Sequence, residues 1–237
     1  MSDTQVATPD VAPAAEPTNP SALMSTPGIA PVPGENGKQV MARLPVRYLD
    51  ALYDKESDHY SNRFISLYYA LQEITLPGDY AEFGVFRGHC ARFLENLMIG
   101  PRKLHLFDAF KGLPEAWTEG MPKGKFNLQG KVPKFNKKKS VVYKGWFKNT
   151  VAPFAEQLQQ PLAFIHMDAD LYSSTMDVFK NLDSKIVPGT IIVFDEYVYR
   201  GEEEEHQALL HWAESYNREF EYLWRTKWVQ VCIRVTK

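Results

Sequence analysis

The chain has 237 residues, 44% of them hydrophobic, which is enough for one α/β domain with a sizeable core and short for two. Its 27 basic and 29 acidic residues leave a net charge of −2, which gives no general attraction to nucleic acid or an anionic membrane and favours a small-molecule partner. Cys90 and Cys232 stand far apart in no redox or metal-binding spacing, the N-terminus has no secretory signal, and no apolar run nears the ~20 residues a bilayer demands; a cytoplasmic protein with neither nucleic-acid nor membrane partners is expected.

Residues 1–38 are rich in Pro, Ala, Thr and Ser and predict a disordered tail, because too few apolar side chains are present to offset the entropy of ordering. Residues 39–237 read as a single domain. Helical spacing of apolar residues over Val40–Tyr53 and Ser57–Ile74 predicts two helices, within 39–76, that cover the open end of a ligand site. Such helices can equally pack against a second copy, so the pattern is also that of a homo-oligomer. From residue 77 the pattern alternates: strand Tyr80–Phe83, helix Gly88–Met98, strand Leu104–Phe107, a long loop, strand Val141–Tyr143, helix Lys148–Gln159, strand Leu162–Met167, helix Ser174–Lys185, strand Thr190–Phe194 and helix Glu202–Asn217. That alternation predicts a doubly wound, Rossmann-like parallel sheet. Phe220–Trp224 and Trp228–Val235 follow with no helix between them, as an antiparallel edge hairpin would.

Glu82-Phe83-Gly84-Val85-Phe86-Arg87-Gly88 falls where the first strand turns into its helix, the position at which doubly wound sheets bind nucleotides. Its glycines let the backbone approach a ligand, although an ordinary tight turn uses glycines in the same way. The spacing is G-x-x-x-G rather than the dinucleotide G-x-G-x-x-G. Asp108 ends the second strand, where a carboxylate can accept ribose hydroxyls or cap the next turn.

Asp168 and Asp170 close one predicted strand, and Asp195 and Glu196 close the next. As parallel neighbours these ends bring four acids together, an arrangement that repels itself without a cation. Oxygen donors with no cysteine and no suitably spaced histidine pair select a hard ion such as Mg²⁺, with one carboxylate left as a general base. The competing reading makes Asp170 part of the turn before a capping box at Ser174–Asp177. His166 faces the same side of its strand as Asp168, where a packed core histidine is the simpler reading.

These segments, with Phe107–Pro114, Gly145-Trp146-Phe147 plus Thr150, His166–Thr175 and Pro188–Tyr197, resemble in order and spacing the motifs of the macrocin O-methyltransferase (TylF/MycF-type) family. The resemblance implies a seven-stranded class I fold, S-adenosylmethionine and Mg²⁺ as cofactors, and a sugar or nucleotide-sugar hydroxyl as acceptor. It carries Glu82, Gly84, Val85, Gly88, Asp108, Trp146 and Asp168 onto cofactor-binding positions, Asp168, Asp195 and Glu196 onto metal ligands, and Asp168 and Asp170 onto catalytic positions, Asp170 as the base. Glu196 departs from the family's usual aspartate, and its extra methylene shifts the ion or the ligand shell. A second departure, the run Glu202–Glu205, reads as a solvated helix start that suits the helix dipole. Gly120–Lys139, with lysines at 123, 125, 131, 134, 137, 138 and 139, has no family counterpart; it is either a solvated loop or one whose charge draws an anionic acceptor. An NAD-dependent oxidoreductase and a non-catalytic nucleotide- or sugar-binding module share the fold, but neither needs four clustered acids.

Overall fold

A computed structural model describes residues 59–226 and 229–237, together with 36, 38, 39 and 41. The expected tail and nearly all of the first expected helix, 40–53, lie outside the described residues. In chain order the elements are α1 (His59–Gln72), β1 (Tyr80–Phe83), α2 (His89–Leu97), β2 (Leu104–Asp108), β3 (Ser140–Lys144), α3 (Phe147–Gln157), β4 (Phe164–Met167), α4 (Tyr172–Leu182), β5 (Ile191–Phe194), α5 (Glu204–Ser215), β6 (Phe220–Arg225) and β7 (Val231–Val235).

The seven strands run in the order β3-β2-β1-β4-β5-β7-β6. All neighbours are parallel up to β5, and β7 then pairs antiparallel to both β5 and β6. This is the expected class I methyltransferase sheet with its edge hairpin. Strands β1, β4 and β5 are buried along their whole length, as a parallel sheet covered on both faces requires. One core packs α3, α4 and α5 against the sheet through Phe154, Phe179 and Trp212; the other packs α1 and α2 through Leu67, Ala91 and Leu94.

The strand order reverses between β1 and β4, and this switch point opens the crevice in which such sheets bind ligands. Register places the pieces of the site side by side. Glu82 pairs with His166, which pairs with Val193, so the residues after Phe83, Met167 and Phe194 leave the sheet at the same edge.

Candidate active site

The turn after β1 is held by Asp108. Its Oδ2 accepts hydrogen bonds from the Val85 and Phe86 amides at 2.9 and 2.7 Å, and its Oδ1 accepts one from Phe110 at 2.5 Å. A carboxylate offers about four lone-pair sites, so three are taken by backbone and about one remains for a ribose hydroxyl. The glycines are needed for packing. Gly84 has φ 94°, and a Cβ there would stand 1.7 Å from the Asp168 carbonyl oxygen; the space beside Gly88 is filled by the Phe135 ring.

A cavity of about 700 Å³ opens at this edge. Glu82, Gly84, Val85, Asp108, Trp146, Asp168, Asp170 and Glu196 all line it, whereas Gly88 and Asp195 lie behind its wall. Glu82 is 1% exposed, and its Oε2 makes no hydrogen bond; the nearest base, the His166 Nδ1, is 3.9 Å away. Asp170 has φ 63°, a left-handed backbone that non-glycine residues rarely adopt and that recurs at functional sites. The capping box of the competing reading is not formed: α4 begins at Tyr172 behind Leu171, with Ser174 and Thr175 inside its first turn.

Burial dominates the electrostatics. It pushes the carboxyl of Asp168 up to about 6, with the charge of Asp195 adding to the effect and Arg63 opposing it. Asp170 and Glu196 are likewise held well above the carboxylate range by burial and by their acidic neighbours. His166 is fully buried, and burial alone would lower its pKa, but Asp195 at 3.8 Å and Glu82 hold it up at about 10, as an imidazolium inside the core.

The cation among these acids comes from α1. Arg63 is ion-paired to Asp195 through Nη2, which also lies 3.5 Å from Glu196 Oε1, and its Nη1 is 3.8 Å from Asp168 Oδ2. Burial opposes its charge, yet the surrounding carboxylates hold its pKa above the ordinary value.

The Glu202–Glu205 reading needs correction. Glu205 is fully buried, not solvated; its Oε1 accepts the Ala169 amide at 3.1 Å and its Oε2 the Glu196 amide at 3.3 Å. Its neighbour Glu204 accepts the Tyr172 amide at 2.7 Å and so caps α4. One turn of α5 thus clamps both acid-bearing strand ends.

The family model for macrocin O-methyltransferase (TylF) matches residues 61–211, which include every residue of this site. The chain belongs to this family. The 8-demethyl-8-(2,3-dimethoxy-alpha-L-rhamnosyl)-tetracenomycin-C 4'-O-methyltransferase of Streptomyces olivaceus is 28% identical over 161 residues, covering 57% of this chain and 60% of the relative. Mycinamicin III 3''-O-methyltransferase of Micromonospora griseorubida is 26% identical over 147 residues, covering 52% and 56%. The chain therefore spans a little over half the length of these curated relatives. The fold matches that of the calicheamicin methyltransferase CalS11 with a TM-score of 0.61 at 20% identity, covering 84% of this chain and 89% of that one.

The metal that the family resemblance implies has a chemically suitable donor set in Asp168, Asp195 and Glu196, all hard oxygens. Among the described residues, however, no three His, Cys, Asp or Glu side chains already surround a point where an ion could sit. Arg63 stands there instead. The implied S-adenosylmethionine is matched by Glu82, whose Oε2 awaits a donor at the cavity wall, as the methionine ammonium would supply.

The loop from Ala109 to Lys139 forms the far wall of the cavity. Phe110 carbonyl oxygen accepts the Leu128 and Gly130 amides, Leu113 exchanges hydrogen bonds with Gly124 and Lys125, and Trp117 stacks on Tyr199 with ring centroids 4.9 Å apart. Of its eight lysines only Lys123 lines the cavity, while Lys139 Nζ is bonded to the Glu95 and Met98 carbonyls at the end of α2. Arg63 and Glu205 escaped the motif reading, yet each had a signal. Arg63 shares a helical face with Ser66, Leu67 and Ala70, and Glu205 shares one with Ala208, Leu209 and Trp212, so both charges sit on buried stripes.

Proposed function

We propose that the protein is an S-adenosylmethionine-dependent O-methyltransferase acting on a hydroxyl of a sugar or nucleotide-sugar, with Mg²⁺ held by Asp168, Asp195 and Glu196. The reading is carried by one observation: the Glu82–Val85 turn and the carboxylates of Asp168, Asp170 and Glu196 wall a single cavity. S-adenosylmethionine supplies an electrophilic methyl on a positively charged sulfur that leaves as a neutral thioether. Bound Mg²⁺ would lower the pKa of a hydroxyl beside it.

The residues of the chain supply the rest. Glu82 takes the methionine ammonium, Asp108 one ribose hydroxyl, and Val85 and Trp146 pack on the cofactor. With the acceptor oxygen aligned behind the methyl, most of the rate comes from positioning. Asp170 accepts the hydroxyl proton, since burial makes it a stronger base than a solvated carboxylate. Lys123, Arg87 and Lys148 on the cavity wall suit an anionic acceptor such as a nucleotide-sugar.

Incubation with S-adenosylmethionine, Mg²⁺ and a panel of sugars, nucleotide-sugars and phenols should yield a sugar-class product heavier by one methyl group in mass spectra. S-adenosylhomocysteine should raise the melting temperature and NAD should not; the opposite pattern rejects the methyl-transfer reading. Asp168→Asn is expected to lose turnover while keeping its fold, and undiminished turnover in that variant rejects the metal role.

A further inference from the structure

We propose that the Arg63 guanidinium and a divalent cation are alternative occupants of the same carboxylates, so that metal binding must displace Arg63 from Asp168, Asp195 and Glu196. The inference rests on the metal reading above and adds to it a built-in competitor.

Geometry makes the two exclusive. The two Nη atoms of Arg63 reach all three acids, pairing with Asp195 and lying 3.5 Å from Glu196 and 3.8 Å from Asp168. An Mg²⁺ ion bonds oxygens at about 2.0–2.1 Å, so an ion shared by these acids needs the volume in which the guanidinium now lies.

Charge favours the exchange. Glu82, Asp168, Asp170, Asp195, Glu196 and Glu205 are all at or behind the cavity wall, and among the described residues the bases that meet this group are Arg63 and His166. Replacing a single positive charge by a double one strengthens the attraction to these oxygens in a site screened from water.

An exit also exists. Arg63 itself lines the cavity and its side chain is 19% exposed. Its buried Nε makes no hydrogen bond that departure would break. Ser66, Leu67 and Ala70 anchor α1 to the sheet side, so the side chain can swing into the cavity while the helix stays in place.

A metal that must evict a resident cation binds more weakly than its ligands alone would allow. The test is a titration of Mn²⁺ alone into the full chain, wild type and Arg63→Gln, with free Mn²⁺ followed by electron paramagnetic resonance. Arg63→Gln is expected to bind at least about tenfold tighter. Equal or weaker binding by the variant, with the wild type still binding, overturns the exchange and leaves the metal reading standing. No binding by either chain overturns both.

Because Arg63→Gln leaves the acids uncompensated and can unfold, a second measurement uses the wild type. The ¹⁵N-guanidinium Nε signal of Arg63, identified by its absence from Arg63→Lys, should shift as Mg²⁺ is added; a signal unmoved at saturating Mg²⁺ overturns the proposal.

Discussion

Gly84 shows how a motif residue can be required for a reason other than the one its motif suggests. A side chain at this position meets the Asp168 carbonyl oxygen at 1.7 Å on a backbone with φ 94°. Gly84→Ala should therefore destabilise the fold by more than about 3 kcal/mol, strain and clash together. Gly120 has a similar φ of 77° with nothing within 4 Å, so Gly120→Ala should cost only about 1 kcal/mol of left-handed strain. Urea unfolding of the pair separates the two contributions; equal losses would mean that the approach of the β1 turn to β4 is unimportant. The turn was legible in the sequence, but the neighbour that fills its space was not, because pairing between β1 and β4 is set by the whole sheet.

Among the elements, α5 has the role least visible beforehand. Four glutamates in a row read as solvent-facing, and local dipole arguments favour that reading. Tertiary packing decides otherwise, since Glu205 falls on the stripe that buries Ala208, Leu209 and Trp212. Its two oxygens tie the amides of Ala169, between the acids after β4, and of Glu196, the second acid after β5. Glu205→Ala strands two buried amides, each worth about 1–3 kcal/mol, and part of that loss is offset by relief of repulsion with Asp168 and Glu196. A net loss of about 2 kcal/mol in denaturant titrations is expected, with a larger fall in kcat than in KM. Unchanged kcat would show that the clamp does not position the acids. Most strand ends were legible to within a residue, because β-branched and aromatic runs punctuated by Gly and Pro leave few alternatives, although β4 starts two and β7 three residues later than expected. Element ends were less so: α4 starts two residues before its apparent capping box, where Glu204 from another helix serves as the cap.

At the scale of the whole molecule, the acid response of the fold has one clear contributor away from the acid cluster. His105 in β2 is 7% exposed, with Nε2 3.0 Å from Asp79 and Nδ1 3.2 Å from the Tyr143 hydroxyl. Burial lowers its pKa below 6.5, and Asp79 offsets only part of that. The unfolded chain thus takes up this proton first, so the stability His105 confers is complete above about pH 6.5 and is lost as the pH falls below it. The melting temperature should fall between pH 7 and 5, and His105→Gln should flatten that fall; an unaltered slope would assign it to other groups. The sheet, its edge hairpin and the acids at its rim could be read from the sequence, since each is written in contiguous residues. The cross-chain partners Arg63, Glu205 and Asp79 could not, because each acts on a residue that only the folded topology brings near.

Arg63 also sets an order of events during synthesis. It precedes Glu82, Asp168, Asp170, Asp195, Glu196 and Glu205 along the chain. As the polypeptide leaves the ribosome from its N-terminus, the counterion is made before any of the acids it will meet. The acid cluster can then close around a charge the chain already carries, and the newborn molecule can fold before any ion has been captured.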